Sequence, residues 1–180
     1  LDVSIDVPAN SRHFFGNIIY TQTSSKVSSN KKVVNVKSLP TENKPEDFFG
    51  AVGDFNISLN SNKNELKATE SFQVELKISG SGNLKLFSIP DLIVPSSLEK
   101  YDPEYSESVK IGLAGMNGNI SNTYTIVPQF QGKYPIPRVK FSFFNPRLNK
   151  YFTIFSDEEI VDVYDGPIVS NDNSNVAVED

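Results

Sequence analysis

The sequence contains no cysteine, no tryptophan, one methionine and one histidine. The absence of cysteine excludes disulfide bonds, thiolate metal ligands and a cysteine nucleophile together, so packing alone must stabilise the fold. It leaves the cellular compartment undecided, because exported domains can also lack cysteine. Catalytic and metal sites need several convergent side chains, so the single histidine, His13, is expected to be a solvated loop residue.

The sequence also lacks a long apolar run and a cluster of basic residues. No stretch approaches the roughly 18 to 20 apolar residues of a membrane-spanning helix. Leu1, Asp2 and Val3 do not resemble the start of a signal peptide, and we expect the chain to be an excised segment of a longer protein. The net charge is -5 and the basic residues are scattered singly. A nucleic-acid-binding surface needs clustered basic residues with stacking aromatics, so nucleic acid is not an expected partner.

Phenylalanine and tyrosine are abundant, with 13 and 7 residues, and many lie in stretches where apolar and polar residues alternate. The clearest such stretch, residues 71–78, alternates without interruption and predicts a strand with one buried face. Seven or more short stretches of this kind occur at intervals of about 8 to 12 residues, without helical periodicity. The pattern predicts an all-β fold, an immunoglobulin-like antiparallel β-sandwich.

One stretch of this pattern, from Thr123 to Pro137, predicts two strands joined at Gly132. The series Gly132, Tyr134 and Ile136 is typical of a tyrosine corner, in which a tyrosine after the turn bonds to upstream backbone. We therefore expect the Tyr134 hydroxyl to close the turn and Ile136 to face the core.

The sandwich is assigned to residues 46–165. Residues 1–40 are predicted to be the C-terminal strands of a preceding β domain, and residues 41–45 a linker. Residues 166–180 are polar and acidic and are predicted to be an acidic linker or tail. Within the first segment we expect strands at residues 1–7, 17–23 and 31–39, the first ended by Pro8.

Two glycine-containing stretches were considered as phosphate loops. Residues 50–53 and 80–83 are not followed by the Lys-Ser/Thr pair and the helix that such a loop needs. We expect both stretches to be turns, and the second to end the strand before it.

The densest carboxylate groups lie at residues 102–104 and 157–159. Their spacing matches no calcium-loop motif, and solvated acidic turns are the favoured interpretation. No catalytic, metal-binding or cofactor-binding residue is assigned, and no cofactor is expected. Asp102 and Glu104 are the candidate residues for binding a protein partner.

A series of motifs along residues 1–165 resembles, in the same order, the BatD aerotolerance (oxygen tolerance) family. The motifs are Leu39-Pro40 with Pro45, Phe48-Phe49-Gly50-Ala51-Val52-Gly53-Asp54-Phe55, Gly80-Ser81-Gly82-Asn83-Leu84-Lys85-Leu86, Tyr101-Asp102-Pro103, Tyr124-Thr125-Ile126-Val127-Pro128, Gly132-Lys133-Tyr134-Pro135-Ile136-Pro137 and Phe141-Ser142-Phe143-Phe144-Asn145-Pro146.

The resemblance implies a non-enzymatic protein with tandem immunoglobulin-like modules on the periplasmic face of a bacterial membrane. It implies membrane attachment through regions outside this chain and a link to aerotolerance or envelope stress. It also implies protein partners, von Willebrand A-type proteins and a MoxR-type ATPase. On that basis the leading interpretation is a periplasmic protein-interaction module.

Two other function classes stay open. A carbohydrate-binding or adhesin-like surface sandwich is the first alternative, because exposed rings among the many Phe and Tyr residues could stack against sugars. A hydrolase is the second, and it would need a pair of acids that converge in a cleft.

Overall fold

The computed structural model describes residues 2–12, 18–113 and 115–168. The chain divides into two compact units, Leu1–Leu39 and Pro40–Asp180. His13 and residues 169–180 of the predicted tail lie outside the described residues. The regular structure of the described ranges consists of strands without a helix, so the prediction of an all-β, sandwich-like fold is confirmed.

The first unit contains one antiparallel hairpin, formed by β1 (Asp2–Arg12) and β2 (Ile18–Lys26). Its register runs from Asp2 opposite Lys26 to Pro8 opposite Tyr20 and then shifts before Arg12. The prediction that Pro8 ends the first strand is therefore wrong. A proline is tolerated within an edge strand, where its missing N–H can face away from the ladder.

The prediction of a strand at residues 31–39 is also wrong, because the described backbone there is irregular. The side chains of Val33, Val34 and Val36 are almost fully exposed. Apolar alternation favours an extended chain, but a strand also needs a neighbouring backbone to satisfy its N–H and C=O groups.

The second unit contains ten strands in the described residues. They are β3 (Gly53–Ser61), β4 (Glu65–Lys67), β5 (Phe72–Gly82), β6 (Leu98–Lys100), β7 (Glu104–Gly112), β8 (Gly115–Pro128), β9 (Gly132–Ile136), β10 (Lys140–Asn145), β11 (Lys150–Phe155) and β12 (Glu159–Asp165).

The larger sheet has the order β3-β5-β8, with β6 and β7 both on the far side of β8. Strand β7 pairs with the first part of β8, whereas β6 pairs with its last three residues. All of these pairings are antiparallel.

The opposing layer is built on one long, interrupted hairpin. Strands β9 and β12 form its open end, and β10 and β11 form its tip. Three residues interrupt each arm, and Ser156 keeps the arms together there, because its N–H donates to the Val139 carbonyl and its hydroxyl accepts from the Val139 N–H. Strand β4 adds to β12 in parallel, the one parallel pairing of named strands in the described residues.

Two buried clusters fill the space between the layers. The larger joins residues of β5 and β8, such as Phe72 and Tyr124, to residues of β9 and β12, such as Ile136 and Val161. The smaller is centred on Phe55, whose ring meets Phe141 and Phe143 edge-on at centroid distances of 6.1 and 5.6 Å.

The prediction that residues 80–83 form a turn is wrong, because β5 continues through Gly82, paired with β3, and ends only there. The side-chain space of these glycines is already taken by the neighbouring strand and by Phe55. A Cβ added to Gly82 would lie 2.6 Å from the Phe55 ring and would also meet the Val52 carbonyl oxygen. Glycine is needed here for close strand packing under an aromatic ring.

The tyrosine corner is confirmed. The Tyr134 hydroxyl donates to the Phe130 carbonyl oxygen at 2.9 Å, four residues upstream and across the turn at Gly132. Ile136 is fully buried in the larger core cluster.

Candidate binding surface

Asp102 and Glu104 lie at one exposed corner of the larger sheet. Asp102 stands in the short connection between β6 and β7, and Glu104 is the first residue of β7, opposite Thr123 of β8. Both side chains are exposed. Each is absent from the ion pairs found among the described residues, so the corner carries two carboxylates that are open to a partner.

From this corner, β7 runs for nine residues along the rim of the sheet. Every residue of β7 is exposed except Val109, which packs against the smaller core cluster. The register with β8 is unbroken from Glu104 to Gly112. In the described structure β7 pairs with β8 alone, so the outer edge of its backbone is unpaired. Such an edge is a template for an added strand.

The inner face of β7 is only lightly covered. The Glu107 carboxylate binds Lys85 of the preceding loop and accepts a hydrogen bond from the Tyr105 hydroxyl at 3.2 Å. Lys85 lowers the pKa of Glu107 more strongly than any other neighbour does. Burial, followed by the hydrogen bond to Glu107, raises the pKa of Tyr105. Tyr105 nevertheless remains about half exposed.

Residues 83–95 form a loop that crosses the core without forming a strand. A cluster of polar side chains beside the corner binds this loop. The buried Tyr124 hydroxyl donates to Asp91 at 3.2 Å and accepts from the Leu92 N–H at 3.3 Å. Lys100 binds the Asp91 carboxylate and donates to the Leu92 carbonyl oxygen at 2.7 Å. Lys100 lowers the pKa of Asp91, and burial raises that of Tyr124. These contacts fix the loop, and the polar groups of the cluster bind one another and the loop backbone.

Sequence reasoning missed this cluster. Asp91 and Tyr124 are 33 residues apart, and neither lies in a motif that specifies an ion pair. Lys100 and Asp91 are nine residues apart, across a loop whose path the sequence did not define. The one available signal was Tyr124 itself, a polar-tipped residue at a position that alternation assigns to the core.

A second polar network covers the outer face of β10. Asp47 accepts a hydrogen bond from the Ser142 hydroxyl at 3.0 Å, and its other oxygen lies 3.1 Å from Lys140 Nζ. Burial of the Asp47 carboxyl favours its neutral form, but the hydrogen bonds from Lys140 and Ser142 outweigh burial and lower its pKa. Phe48 packs edge-on against Tyr151 beside it. This face is therefore closed to a partner.

The outer face of the larger sheet is a third surface, and it is polar. Its outward positions on β3, β5 and β8 alternate with the core residues and are mostly small polar side chains. They include Asn56, Ser58, Asn60, Ser79, Ser81, Asn117, Asn119, Ser121 and Thr123. Among the described residues of β3, β5 and β8, no outward position carries an aromatic ring on which a sugar could stack.

Among the described residues, we find no second group of side chains arranged as a catalytic or metal-binding site. Among them, no three His, Cys, Asp or Glu side chains converge in a way that could hold a metal ion. Asp157 and Glu158 lie between β11 and β12 and Glu159 begins β12, so these acids are on the opposing layer rather than beside Asp102. Within the same ranges, no helix has the length and apolar character needed to cross a bilayer.

Comparison with known proteins gives one family. A family model described as "BatD DUF11 like domain" matches residues 59–163, which spans β4 to β11 completely and includes the corner at Asp102. A search of curated proteins finds no matching relative.

Proposed function

This chain belongs to the BatD family of aerotolerance-related envelope proteins, and from that premise we propose that it is a non-enzymatic protein-interaction module. The module acts on the periplasmic face of a bacterial membrane, to which regions outside this chain attach it. Its partners are von Willebrand A-type proteins, acting together with a MoxR-type ATPase.

The observation that carries the proposal is the exposed corner at Asp102 and Glu104, which leads directly into the unpaired edge of β7. Carboxylate oxygens are good ligands for a hard divalent cation. We propose that one of these two carboxylates completes the coordination of a metal ion held by an A-type domain. The adjacent backbone edge of β7 then adds main-chain hydrogen bonds to the contact.

Other features of the domain support this assignment over an enzymatic one. The polar groups in and around the core, such as Asp91 and Asp47, are bound to neighbouring lysines and hydroxyls. They stabilise loops and faces. The two neighbouring free acids, Asp102 and Glu104, lie on an exposed corner. A hydrolase would need such a pair facing a cleft.

The carbohydrate-binding alternative has little support in the arrangement of rings. The exposed rings of the second unit, Phe49, Tyr101, Tyr105, Phe155 and Tyr164, lie on separate segments. Most of the remaining phenylalanines fill the core or the covered face of β10. A sugar platform needs adjacent exposed rings, so we favour a protein partner.

A binding assay tests the proposal. The chain is immobilised and exposed to the A-type domains of its partner proteins, with magnesium and again with chelator. We expect binding that chelator abolishes and that Asp102→Asn or Glu104→Gln weakens about tenfold. Asp157→Asn is the matched control, because it neutralises an exposed acid of the opposing layer and should leave binding unchanged.

Absence of binding in both conditions would overturn the interaction with A-type domains. Binding that survives both chelator and the two substitutions would overturn the carboxylate-to-metal mechanism while keeping the partner.

A further inference from the structure

When two copies of β7 are placed side by side in antiparallel orientation, their side chains complement each other. We propose that β7 pairs antiparallel with β7 of a second copy of this chain, about a two-fold axis through Ser108. The pairing joins the two larger sheets into one continuous sheet. It requires no other partner, and it occupies the same backbone edge that the proposed contact with A-type domains would use, so the two interactions exclude each other at β7.

The edge lacks most of the features that normally prevent such pairing. Natural edge strands are protected by proline, bulges, short length, charged side chains such as lysine, inward-pointing charges or a covering segment. The one charge on the inner face of β7, Glu107, is bound to Lys85 of its own chain. Strand β7 contains no proline, keeps an unbroken register with β8 and spans nine residues. Lys110 is its one lysine. Its exposed side chains leave the outer backbone edge accessible along the whole strand.

An axis through Ser108 brings the exposed apolar residues of β7 together. Tyr105 of one copy then stands opposite Ile111 of the other, and the pair forms twice. These two side chains are 54% and 71% exposed in the single chain. Aromatic and β-branched residues directly opposite each other are a stabilising pair in antiparallel sheets. The pairing therefore covers apolar surface that the single chain leaves in water.

The charges of β7 favour the same axis. Lys110 stands opposite Ser106 of the second copy and diagonally beside its Glu104, on the same face of the sheet. Diagonal neighbours are about 7 to 8 Å apart at their Cα atoms, within reach of long side chains. The two Glu107 side chains also become diagonal neighbours, but each is already bound to Lys85 of its own copy.

Neighbouring registers are less favourable. An axis through Glu107 places the two Glu107 carboxylates directly opposite each other, and like charges there are destabilising. An axis through Val109 makes the two Lys110 side chains diagonal neighbours. An axis between Glu107 and Ser108 turns one sandwich over and sets Ile111 opposite Glu104. Ser108 is therefore the predicted centre.

Cysteine cross-linking tests the axis directly, because the chain has no cysteine of its own. In Ser108→Cys the two new thiols are directly opposite, with Cα atoms about 4.5 to 5.5 Å apart, which suits a disulfide. In Ser106→Cys the two thiols lie four residues apart along the strands. That offset separates the Cα atoms by about 13 Å, too far for a disulfide. Both serines are exposed and lie on the same face of β7.

On mild oxidation we expect Ser108→Cys to form a covalent dimer at least tenfold faster than Ser106→Cys. Equal rates for the two variants, or no dimer from Ser108→Cys, would overturn the proposal.

A charge exchange measured by sedimentation gives an independent test without a new covalent bond. Lys110→Glu should raise the dimer dissociation constant about tenfold, because four carboxylates then meet near the axis. Combining it with Glu104→Lys restores the pairing of opposite charges and should restore the dissociation constant. A double variant as weak as the single one would contradict the predicted register. Asp102 lies outside the paired residues whereas Glu104 lies within them, so the Asp102→Asn arm of the A-type binding assay distinguishes a failure of the pairing from a failure of the proposed function.

Discussion

In the hairpin of β10 and β11, strand β10 is covered on both faces, whereas the hairpin of β7 and β8 leaves almost all of β7 exposed. Both are regular antiparallel pairs with unbroken register. In β10, Phe141 and Phe143 face the core, while Ser142 and Phe144 are covered by Asp47 and Tyr151. Within the described residues of the second unit, β7 pairs with β8 alone and most of its side chains stay exposed.

The difference teaches that strand pairing and burial are separate properties of a hairpin. The near-continuous apolar run of β10 is typical of a strand buried on both faces. The mixed sequence of β7 has one partly buried anchor, Val109, and polar or exposed residues around it. We infer that the covered strand β10 maintains the fold and that the open edge of β7 is available for association.

The largest effect on stability is expected where the covered strand β10 packs against the larger sheet. Phe55→Ala removes a buried ring that packs on Phe87, Phe141 and Phe143. It should lower the free energy of unfolding by about 3 to 5 kcal/mol, measured by urea titration. The matched control is Phe155→Ala, since that ring is half exposed on β11, and we expect a change within about 1 kcal/mol. Similar losses from both would contradict the division between covered and open surfaces.

A pair of glycine substitutions sharpens the same comparison. Gly82→Ala places a Cβ against Phe55 and the adjacent backbone at a φ of 150°. The strain should cost about 2 kcal/mol or more. Gly112, at the end of β7, has open space around its missing Cβ. Gly112→Ala should therefore change stability by no more than about 0.5 kcal/mol in the same titration. Tolerance of alanine at Gly82 would mean that the sheet is less tightly packed there.

A smaller effect with a defined pH dependence is expected for Asp47→Asn. The substitution removes a half-buried carboxylate that binds Lys140 and Ser142, and at pH 7 it should cost about 1.5 kcal/mol. Because folding lowers the pKa of Asp47, this contribution is complete above the unfolded-state pKa of about 3.9 and is lost as pH falls through the folded-state value.

Urea titrations at pH 7 and near pH 2.5 check this dependence. The difference between Asp47→Asn and the parent chain should shrink at the lower pH. Glu104→Gln, on the open edge, should leave stability unchanged at both. A difference for Asp47→Asn that persists undiminished at pH 2.5 would exclude the charged network as its cause.

The smallest of these effects is expected at the tyrosine corner. Tyr134→Phe removes the hydrogen bond to Phe130 and leaves the ring in place. It should cost about 1 kcal/mol, seen as a lower melting temperature, with no change in partner binding. An unchanged melting temperature would show that the hydroxyl does not stabilise the turn.

The strands were the part of the fold most accessible to sequence reasoning. Alternation predicted β5, and the stretch from Thr123 to Pro137 predicted the end of β8, strand β9 and the corner at Tyr134 between them. Two limits of that reasoning are physical. Periodicity describes one strand and not its neighbour, so residues 31–39 were assigned a strand that has no partner. Glycine signals a special backbone, and at Gly80 and Gly82 the cause was a close strand and an aromatic ring rather than a turn.

The candidate surface was less accessible. The acids at Asp102 and Glu104 could be predicted to be exposed, because they flank Pro103 in a polar turn. Their position beside an unpaired edge depends on the order of strands, which is set by contacts across the chain. The cluster of Asp91, Lys100 and Tyr124 likewise depends on the path of the loop across the core, which brings these distant residues together.

Amide hydrogen exchange at two protein concentrations tests the central claim most directly. In an edge strand, alternate N–H groups point away from the neighbouring strand. In dilute protein, the outward amides of β7 should exchange rapidly while those of β10 stay protected. At high concentration the outward amides of β7 should become protected and β10 should not change. Outward β7 amides that are already slow at dilution, or that ignore concentration, would contradict the account.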